Sequence, residues 1–176
     1  TILGELAKKP MMTPAELSAV IVQKYLTSYS TSDEVTQSAF DLTKSATLGN
    51  AIDQLAKTLT SKLTTASVRN VIMRVRNQVQ SYEVPEYIDL VDFCKLLQSR
   101  TSQTVIKTAC KKVIDTVQTS KFVLATGYKG SSMAHSYGVS IYFPTRNLSS
   151  LYATLDFTKD TAWDEFLKSY IKATER

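Results

Sequence analysis

The side chains that first suggest catalysis in this sequence are two thiols and one imidazole, those of Cys94, Cys110 and His135. Nucleophilic catalysis by cysteine needs a thiolate, a base within hydrogen-bond reach and usually a group that orients the base. Cys110 falls in a helical pattern of apolar residues, where a thiol behaves as a small hydrophobic group with a raised pKa. His135, the only histidine, stands just before a β-rich run that Pro144 ends. The residues therefore predict no cysteine–histidine pair.

Other side chains with catalytic or ligating chemistry lack the spacing that such sites need. One histidine and two cysteines, in neither a CxxC nor an HxxxH spacing, do not predict a tetrahedral zinc site. Asp89 with Asp92, and Asp160 with Asp164, stand at predicted helix starts, where ionised carboxylates cap helices. The five glycines form no phosphate-binding loop. The sequence predicts no catalytic residue, no cofactor-binding residue and no metal ligand in this chain.

The composition is that of one folded domain spanning residues 1–176. Apolar residues make up 43% of the chain and charged residues 21%, which excludes the composition of a disordered protein. No apolar run approaches the roughly 18 residues that span a bilayer, so no membrane partner is expected. The net charge of +5 is spread over helical patterns. This spread is typical of solvated helix faces, so nucleic acid is not expected as a partner.

Helices dominate the predicted structure. Thr13, Pro14 and Glu16 form the signature of a capping box with proline at the first helical position. Apolar residues then recur at helical spacing along most of the chain. The last helix places Trp163 and Phe166 on one face, as a helix that docks on a core does. The predicted helices begin near Thr13, Ser45, Ser67, Asp89 and Ser102, and finally at Asp160 or Thr161.

Three β-rich runs interrupt the helical pattern. They are Val35 to Leu42, Lys121 to Tyr128, and Gly138 to Phe143. Within the second run, the strand is predicted to begin at Phe122. The predicted fold class is α+β, with five or six amphipathic helices around a small sheet of about three strands. Unpaired edges of such a sheet are an aggregation liability unless another segment extends or flanks it.

Five segments carry a resemblance to a known family. They are PMMTPAELSAVIVQKYLTSY at 10–29, TQSAFDLTKSATLGNAIDQLAKTL at 36–59, YIDLVDFCKLL at 87–97, GVSIYFP at 138–144 and YATLDFTKDTAWDEFLKSY at 152–170. In this order they resemble the C-terminal part of clostripain-family cysteine peptidases, a branch of the caspase-like clan. The resemblance covers most of the chain.

The resemblance implies an α/β/α caspase-like sandwich in which a catalytic His precedes a catalytic Cys in an Asp-Ala-Cys-like stretch. Both catalytic residues would lie upstream of the region matched. Thr108-Ala109-Cys110 imitates that stretch, but it lacks the acid, falls in a helix and precedes the only histidine. The dyad is therefore not carried over, and the resemblance implies that His135 leads into a structural strand.

The resemblance also implies a function and partners. This chain would be the structural C-terminal portion of an Arg- or Lys-directed endopeptidase, not catalytic by itself. Its partner would be the N-terminal catalytic segment of the same protein, in cis or after chain cleavage. Peptides or proteins would be the substrate of the whole enzyme, and no cofactor is implied. Similar proteins suggest a bacterial origin and a secreted or cell-surface location.

We call the hypothesis that this chain is a structural framework for a separate catalytic segment the framework hypothesis. Two alternatives to it remain. Ile2, Leu3 and Leu6 have the character of core residues, as if the chain had been cut from something longer. A framework for a missing segment predicts a large apolar surface patch, for which these three are candidates. A self-standing interaction module, for instance at a cell surface, would bury them internally. Nucleic-acid binding ranks third, and a flat response of affinity to salt would exclude it.

Overall fold

Helices make up most of the computed structural model, which describes residues 1–119 and 122–175. Eight α-helices lie within these ranges, so the helix-rich α+β class is confirmed. None of the described helices combines the length and the apolar character needed to cross a membrane. The helices are α1 (Ile2–Lys8), α2 (Pro14–Thr27), α3 (Ser45–Lys62), α4 (Ala66–Arg76), α5 (Leu90–Arg100), α6 (Thr104–Ile114), α7 (Asp156–Asp160) and α8 (Trp163–Thr174).

Side-chain caps explain where two of the predicted helices begin. Thr13 Oγ1 accepts a hydrogen bond from the Glu16 amide at 3.3 Å, and Glu16 Oε2 accepts one from the Thr13 amide at 2.8 Å. This is the reciprocal capping box that the sequence predicts for α2. Asp89 Oδ1 accepts from the amides of Val91 and Asp92 at 3.0 and 2.9 Å, which caps α5 as predicted.

The start of the last helix differs from the prediction. Asp160 ends the short helix α7 instead of capping the last one, and α8 begins at Trp163. The Ala162 amide before α8 donates to Asp53 Oδ1 of α3 at 3.0 Å. The carboxylate that accepts this hydrogen bond is 109 positions away in the sequence. The local sequence pattern around α8 therefore could not reveal it.

The strands form two separate antiparallel pairs rather than one sheet of three. In the first pair, β1 (Val35–Phe40) lies beside β3 (Val123–Lys129), from Val35 opposite Lys129 to Phe40 opposite Val123. In the second, β2 (Tyr87–Asp89) lies beside β4 (Ser140–Tyr142), with Ile88 opposite Ile141. The sequence did not predict β2, because its three residues follow Pro85 closely and the last of them, Asp89, is itself the cap of α5.

The bounds of the predicted strands also differ from those observed: the first and third are longer than the observed strands, and the second is shifted by one residue. The first ends at Phe40 because Asp41 turns the chain and accepts a hydrogen bond from the Thr43 amide at 3.1 Å. The second begins at Val123, and Lys121, where its prediction began, lies outside the described residues. The third begins only after Gly138, whose φ of +106° departs from strand geometry.

Aromatic rings form the centre of a well-buried part of the molecule, which we call the core layer: α3, α4, α5, α6, α8, β2 and β4. The Phe143 ring meets four other rings edge to face, with centroid separations of 5.0 to 5.9 Å. Trp163 is fully buried, and its Nε1 donates to the Tyr142 carbonyl at 2.8 Å. The sequence prediction that this last helix docks on the core is confirmed. The four rings around Phe143 are those of Phe93, Trp163, Phe166 and Tyr170.

A second part of the molecule, which we call the outer layer, consists of α1, α2, β1 and β3. Helix α2 covers one face of the β1–β3 pair, where a Cβ added to Gly127 would overlap Leu26 Cδ1. Helix α1 contains no buried residue and α2 only Val22. Lys24 of α2 reaches Glu5 of α1 at 3.0 Å. The outer layer is therefore held to the molecule with few buried side chains.

Candidate functional site

The two thiols lie next to each other inside the core layer. Cys94 of α5 and Cys110 of α6 are both fully buried, and both are free thiols. Burial raises the pKa of Cys94 well above its ordinary value, and a hydrogen bond with Cys110 raises it further. A buried thiol with a raised pKa is a poor nucleophile, because the thiolate is the reactive form.

The imidazole of His135 lies on the surface, in the segment that leads into β4. Its side chain is 68% exposed, and its Nδ1 lies 3.8 Å from Asp92 Oδ1. The His135 amide donates to Gln80 Oε1 at 3.3 Å. No described contact joins this imidazole to either thiol. The structure therefore places the three candidate residues in two different environments and does not bring the imidazole to a cysteine.

A buried carboxylate, Asp89, organises the region between the imidazole and the core. Besides capping α5, it accepts hydrogen bonds through Oδ2 from the Tyr82 hydroxyl at 2.9 Å and from the Tyr137 amide at 2.7 Å. Burial raises the pKa of Asp89, and its backbone and Tyr82 donors oppose that rise. All four donors come from structural elements around β2. This carboxylate joins β2, α5 and the lead-in to β4.

The neighbouring Asp92 also has a structural partner. Its Oδ2 accepts a hydrogen bond from the Gln80 amide at 2.8 Å. Within the described ranges, no group of three or more His, Cys, Asp or Glu side chains is placed to hold a metal ion. The acidic pair Asp89 and Asp92 thus fixes backbone segments and leaves no free carboxylate pair for proton transfer.

An apolar groove of about 400 Å³, which we call the β4 groove, runs along β4. Residues 138–142 line it. Phe40 and Phe122 also line it, and their rings stack at 5.3 Å. None of the residues that line it is charged. The remaining large apolar side chains of the lining include Leu48, Ile52, Leu155 and Phe157.

A smaller cleft of about 210 Å³ adjoins the β4 groove and is lined by hydroxyl groups. Gly138 and Ser140 line both cavities. A Cβ on Gly138 would lie 3.0 Å from Thr126 Oγ1 and 3.1 Å from Ser38 Oγ, so a side chain there would crowd the cleft. The cleft lining is completed by Thr36, Ser38 and Tyr82.

Sequence reasoning did not find the β4 groove. Its lining comes from widely separated parts of the chain, and the periodicity of any one part does not show that they meet. One signal was available: Gly138, a glycine just before a β-rich run, indicates a close approach of the backbone to a neighbour. That signal marks the position without revealing the cavity beside it.

Comparisons with known proteins bear on the whole chain. The sequence model of the clostripain family, the family of the C11 peptidases, matches residues 1–170. Comparison with curated proteins and with solved structures gave no match. Because the match spans nearly all of the 176 residues, this chain belongs to the clostripain family.

Proposed function

We propose that this chain is the non-catalytic C-terminal portion of a clostripain-like cysteine endopeptidase. The observation that carries the proposal is the burial of both cysteines in a chain of this peptidase family, with the only imidazole exposed and in contact with Asp92. A peptidase of this chemistry needs a thiolate beside a base. The nucleophile and base are therefore supplied by another segment of the protein, in cis or after chain cleavage.

Exposed apolar side chains support docking of such a segment. Ile2 and Leu3 of α1 are 37% and 76% exposed, which favours the framework hypothesis over a self-standing module that buries them. Around the β4 groove, Phe40 and Leu155 are 41% and 47% exposed. Apolar surface of this kind on a folded domain marks interaction sites. Cleavage after Arg or Lys, which the family resemblance implies, is assigned to an acidic pocket of the catalytic segment, because the β4 groove is uncharged.

Peptidase assays with the chain alone and with the longer protein test this proposal. The isolated chain is expected to cleave Arg and Lys peptides only at background. The longer protein should cleave them, and Cys110→Ala and His135→Ala in it should leave kcat/KM within about twofold after correction for folded fraction. Cys94→Ala is the matched control for cavity formation, because both thiols are fully buried.

Two outcomes would contradict the proposed function. The first is turnover by the isolated chain that disappears with Cys110→Ala or His135→Ala. The second is a reading frame for the longer protein that contains neither a histidine nor an Asp-Ala-Cys-like stretch upstream of this chain. The first result would assign catalysis to Cys110 or His135. The second would mean that the longer protein is not a cysteine peptidase of this kind.

A further inference from the structure

We propose that the catalytic segment docks on this chain by adding an extended strand to the free edge of β4, with uncharged side chains seated in the β4 groove. This proposal rests on the proposed function and names the docking element. It follows from the backbone hydrogen bonds of β4, from the covered state of its neighbour β2 and from the chemistry of the groove.

The backbone groups of β4 point alternately toward β2 and away from it. The Leu90 amide donates to the Val139 carbonyl at 2.9 Å, and the Phe143 amide donates to the Glu86 carbonyl at 2.7 Å. Residues 139, 141 and 143 therefore direct their backbone groups toward β2. In an antiparallel pair the direction alternates along the strand. The N–H and C=O groups of Ser140 and Tyr142 thus point away from β2, toward the β4 groove.

Of the four N–H and C=O groups of Ser140 and Tyr142, only one has a partner within the described part of the chain. The Tyr142 carbonyl accepts from Trp163 Nε1 at 2.8 Å. Both backbone groups of Ser140 and the amide of Tyr142 remain for an added strand, which could form three hydrogen bonds with them. Unpaired strand edges are templates for pairing with another extended segment.

The other edge of this two-stranded sheet does not compete for the added strand. The Asp89 amide donates to the Gln80 carbonyl at 2.8 Å, and the Tyr82 amide donates to the Tyr87 carbonyl at 3.1 Å. The chain itself thus covers the outer edge of β2. The free edge of β4 is left as the place where this sheet can grow.

The groove beside that edge determines the chemistry of the occupant. Its lining is uncharged, and its volume of about 400 Å³ lies in the range of specific binding pockets. Phe40, Tyr87 and Leu155 line it and are 41%, 44% and 47% exposed. An added strand would cover these side chains with alternate apolar residues, because successive side chains of a strand point to opposite faces. A charged side chain in the groove would be desolvated without a partner.

The adjoining hydroxyl-lined cleft indicates which kind of side chain the added strand has at one end. Thr36, Ser38 and Ser140 surround the end of the path near Gly138. A small polar side chain fits this end, where hydroxyl groups can satisfy its hydrogen bonds. The inferred docking strand is therefore neutral, with apolar side chains toward the groove and a small polar residue at one end.

A proline at Ser140 tests the strand pairing directly. Proline removes the backbone N–H that faces the groove and leaves the ladder with β2 intact, as is tolerated at strand edges. We would co-express the chain with the upstream catalytic segment of the same reading frame and measure the dissociation constant of the purified complex. Ser140→Pro is expected to weaken the complex about tenfold or more. Ser140→Ala, which removes only the hydroxyl, should leave it nearly unchanged.

A second variant and a second measurement cover the case in which Ser140→Pro does not fold. Leu155→Glu places a charge at an exposed position of the groove, and it should weaken the complex by a similar factor. Residue-resolved hydrogen exchange of the unmodified proteins should show the Ser140 and Tyr142 amides slowed about tenfold or more by complex formation. The Ile141 amide, which faces β2, should be protected in the isolated chain as well.

The outcomes separate this inference from the proposed function. A stable complex in which the Ser140 and Tyr142 amides exchange as fast as in the isolated chain would overturn strand addition and leave the framework function standing. Failure of the unmodified chain to bind the catalytic segment would remove both. Protection that depends on the concentration of this chain alone would identify a second copy as the occupant and also overturn the inference.

Discussion

The last helix and the first two helices of this chain show how similar sequence patterns reach different degrees of burial. Each carries apolar residues at helical spacing and acidic residues in its first turn. Helix α8 buries Trp163, Phe166, Leu167, Tyr170 and Ile171, whereas α1 buries nothing and α2 only Val22. Periodicity thus predicts a helix, but it does not say whether the apolar face meets a partner within the same chain.

The difference follows from what surrounds each helix. Helix α8 packs on α3 and on the ring of Phe143, which other aromatic residues enclose. Helix α2 packs on a two-stranded sheet whose other face is only partly covered, with Tyr128 44% exposed. Isolated two-stranded sheets are marginally stable at best. The core layer should therefore carry most of the stability of this chain, and the outer layer should depend on docking of further protein.

The largest expected effect comes from removing one of the fully buried aromatic side chains of the core layer. Trp163→Ala should lower the free energy of unfolding by about 3 to 5 kcal/mol, because a fully buried aromatic ring leaves a cavity. It also removes the donor to the Tyr142 carbonyl. Chemical denaturation followed by circular dichroism measures the change.

The matched variant in the outer layer is Leu3→Ala. Leu3 is 76% exposed, so the free energy of unfolding of the isolated chain should change by less than about 0.5 kcal/mol. Equal losses for Trp163→Ala and Leu3→Ala would show that both layers contribute alike, and the contrast between them would be wrong.

A smaller effect is expected where α2 crosses the β1–β3 pair. Gly127→Ala should destabilise the chain by about 1 kcal/mol, because its methyl group would overlap Leu26 Cδ1 and the end of this half-buried side chain would have to move. In a Leu26→Ala background the same change should become neutral or mildly stabilising, since alanine reduces the conformational entropy of the unfolded chain. A double-mutant cycle on thermal or chemical unfolding gives the coupling.

A coupling near zero in that cycle would mean that α2 and the sheet do not touch at Gly127. The outer layer would then be even looser than the described structure. A coupling of the expected size would confirm that this one close approach fixes the helix over the sheet.

Sequence could predict the local features of both layers but not their partners. The capping box of Thr13 and Glu16 and the cap at Asp89 involve residues within three positions of each other. Such local chemistry can be recognised in a sequence. On α2, by contrast, the adjacent apolar residues Ile21 and Val22 differ in burial: Ile21 is 37% exposed, while Val22 is buried. The face that α2 turns inward depends on the sheet beneath it, which lies far away in sequence.

The candidate site shows the same limit. The absence of a cysteine–histidine pairing pattern was a prediction from spacing and helical context, and the structure places Cys94, Cys110 and His135 without any described contact between imidazole and thiol. The β4 groove was not predictable, because Phe40, Phe122 and Leu155 meet only in the folded chain. The two-residue edge of Ser140 and Tyr142 is too short to stand out as an open edge in a sequence.

The smallest expected effect is a pH-dependent one at the start of α2, and it tests whether the outer layer is stabilised locally. A hydrogen bond from Lys9, with further hydrogen bonds from Thr13, lowers the pKa of Glu16 from its ordinary 4.5 to about 2. Because the pKa is lower in the folded chain, this carboxylate stabilises the fold fully above pH 4.5. The contribution is lost as the pH falls from 4.5 toward 2. Glu16→Gln should therefore lower the melting temperature slightly at pH 7 and have less effect near pH 2.

The control for that change is Glu83→Gln, which removes the same charge from an exposed residue with no described ion pair. Since Glu16 is exposed, added salt should weaken the Lys9 pairing but leave the hydrogen bond from the Thr13 amide. Part of the difference between the two variants should therefore persist at high salt. If their melting temperatures fall in parallel with pH, the capping box does not stabilise α2. The stability of the outer layer in the isolated chain would then depend mainly on the packing of α2 on its sheet.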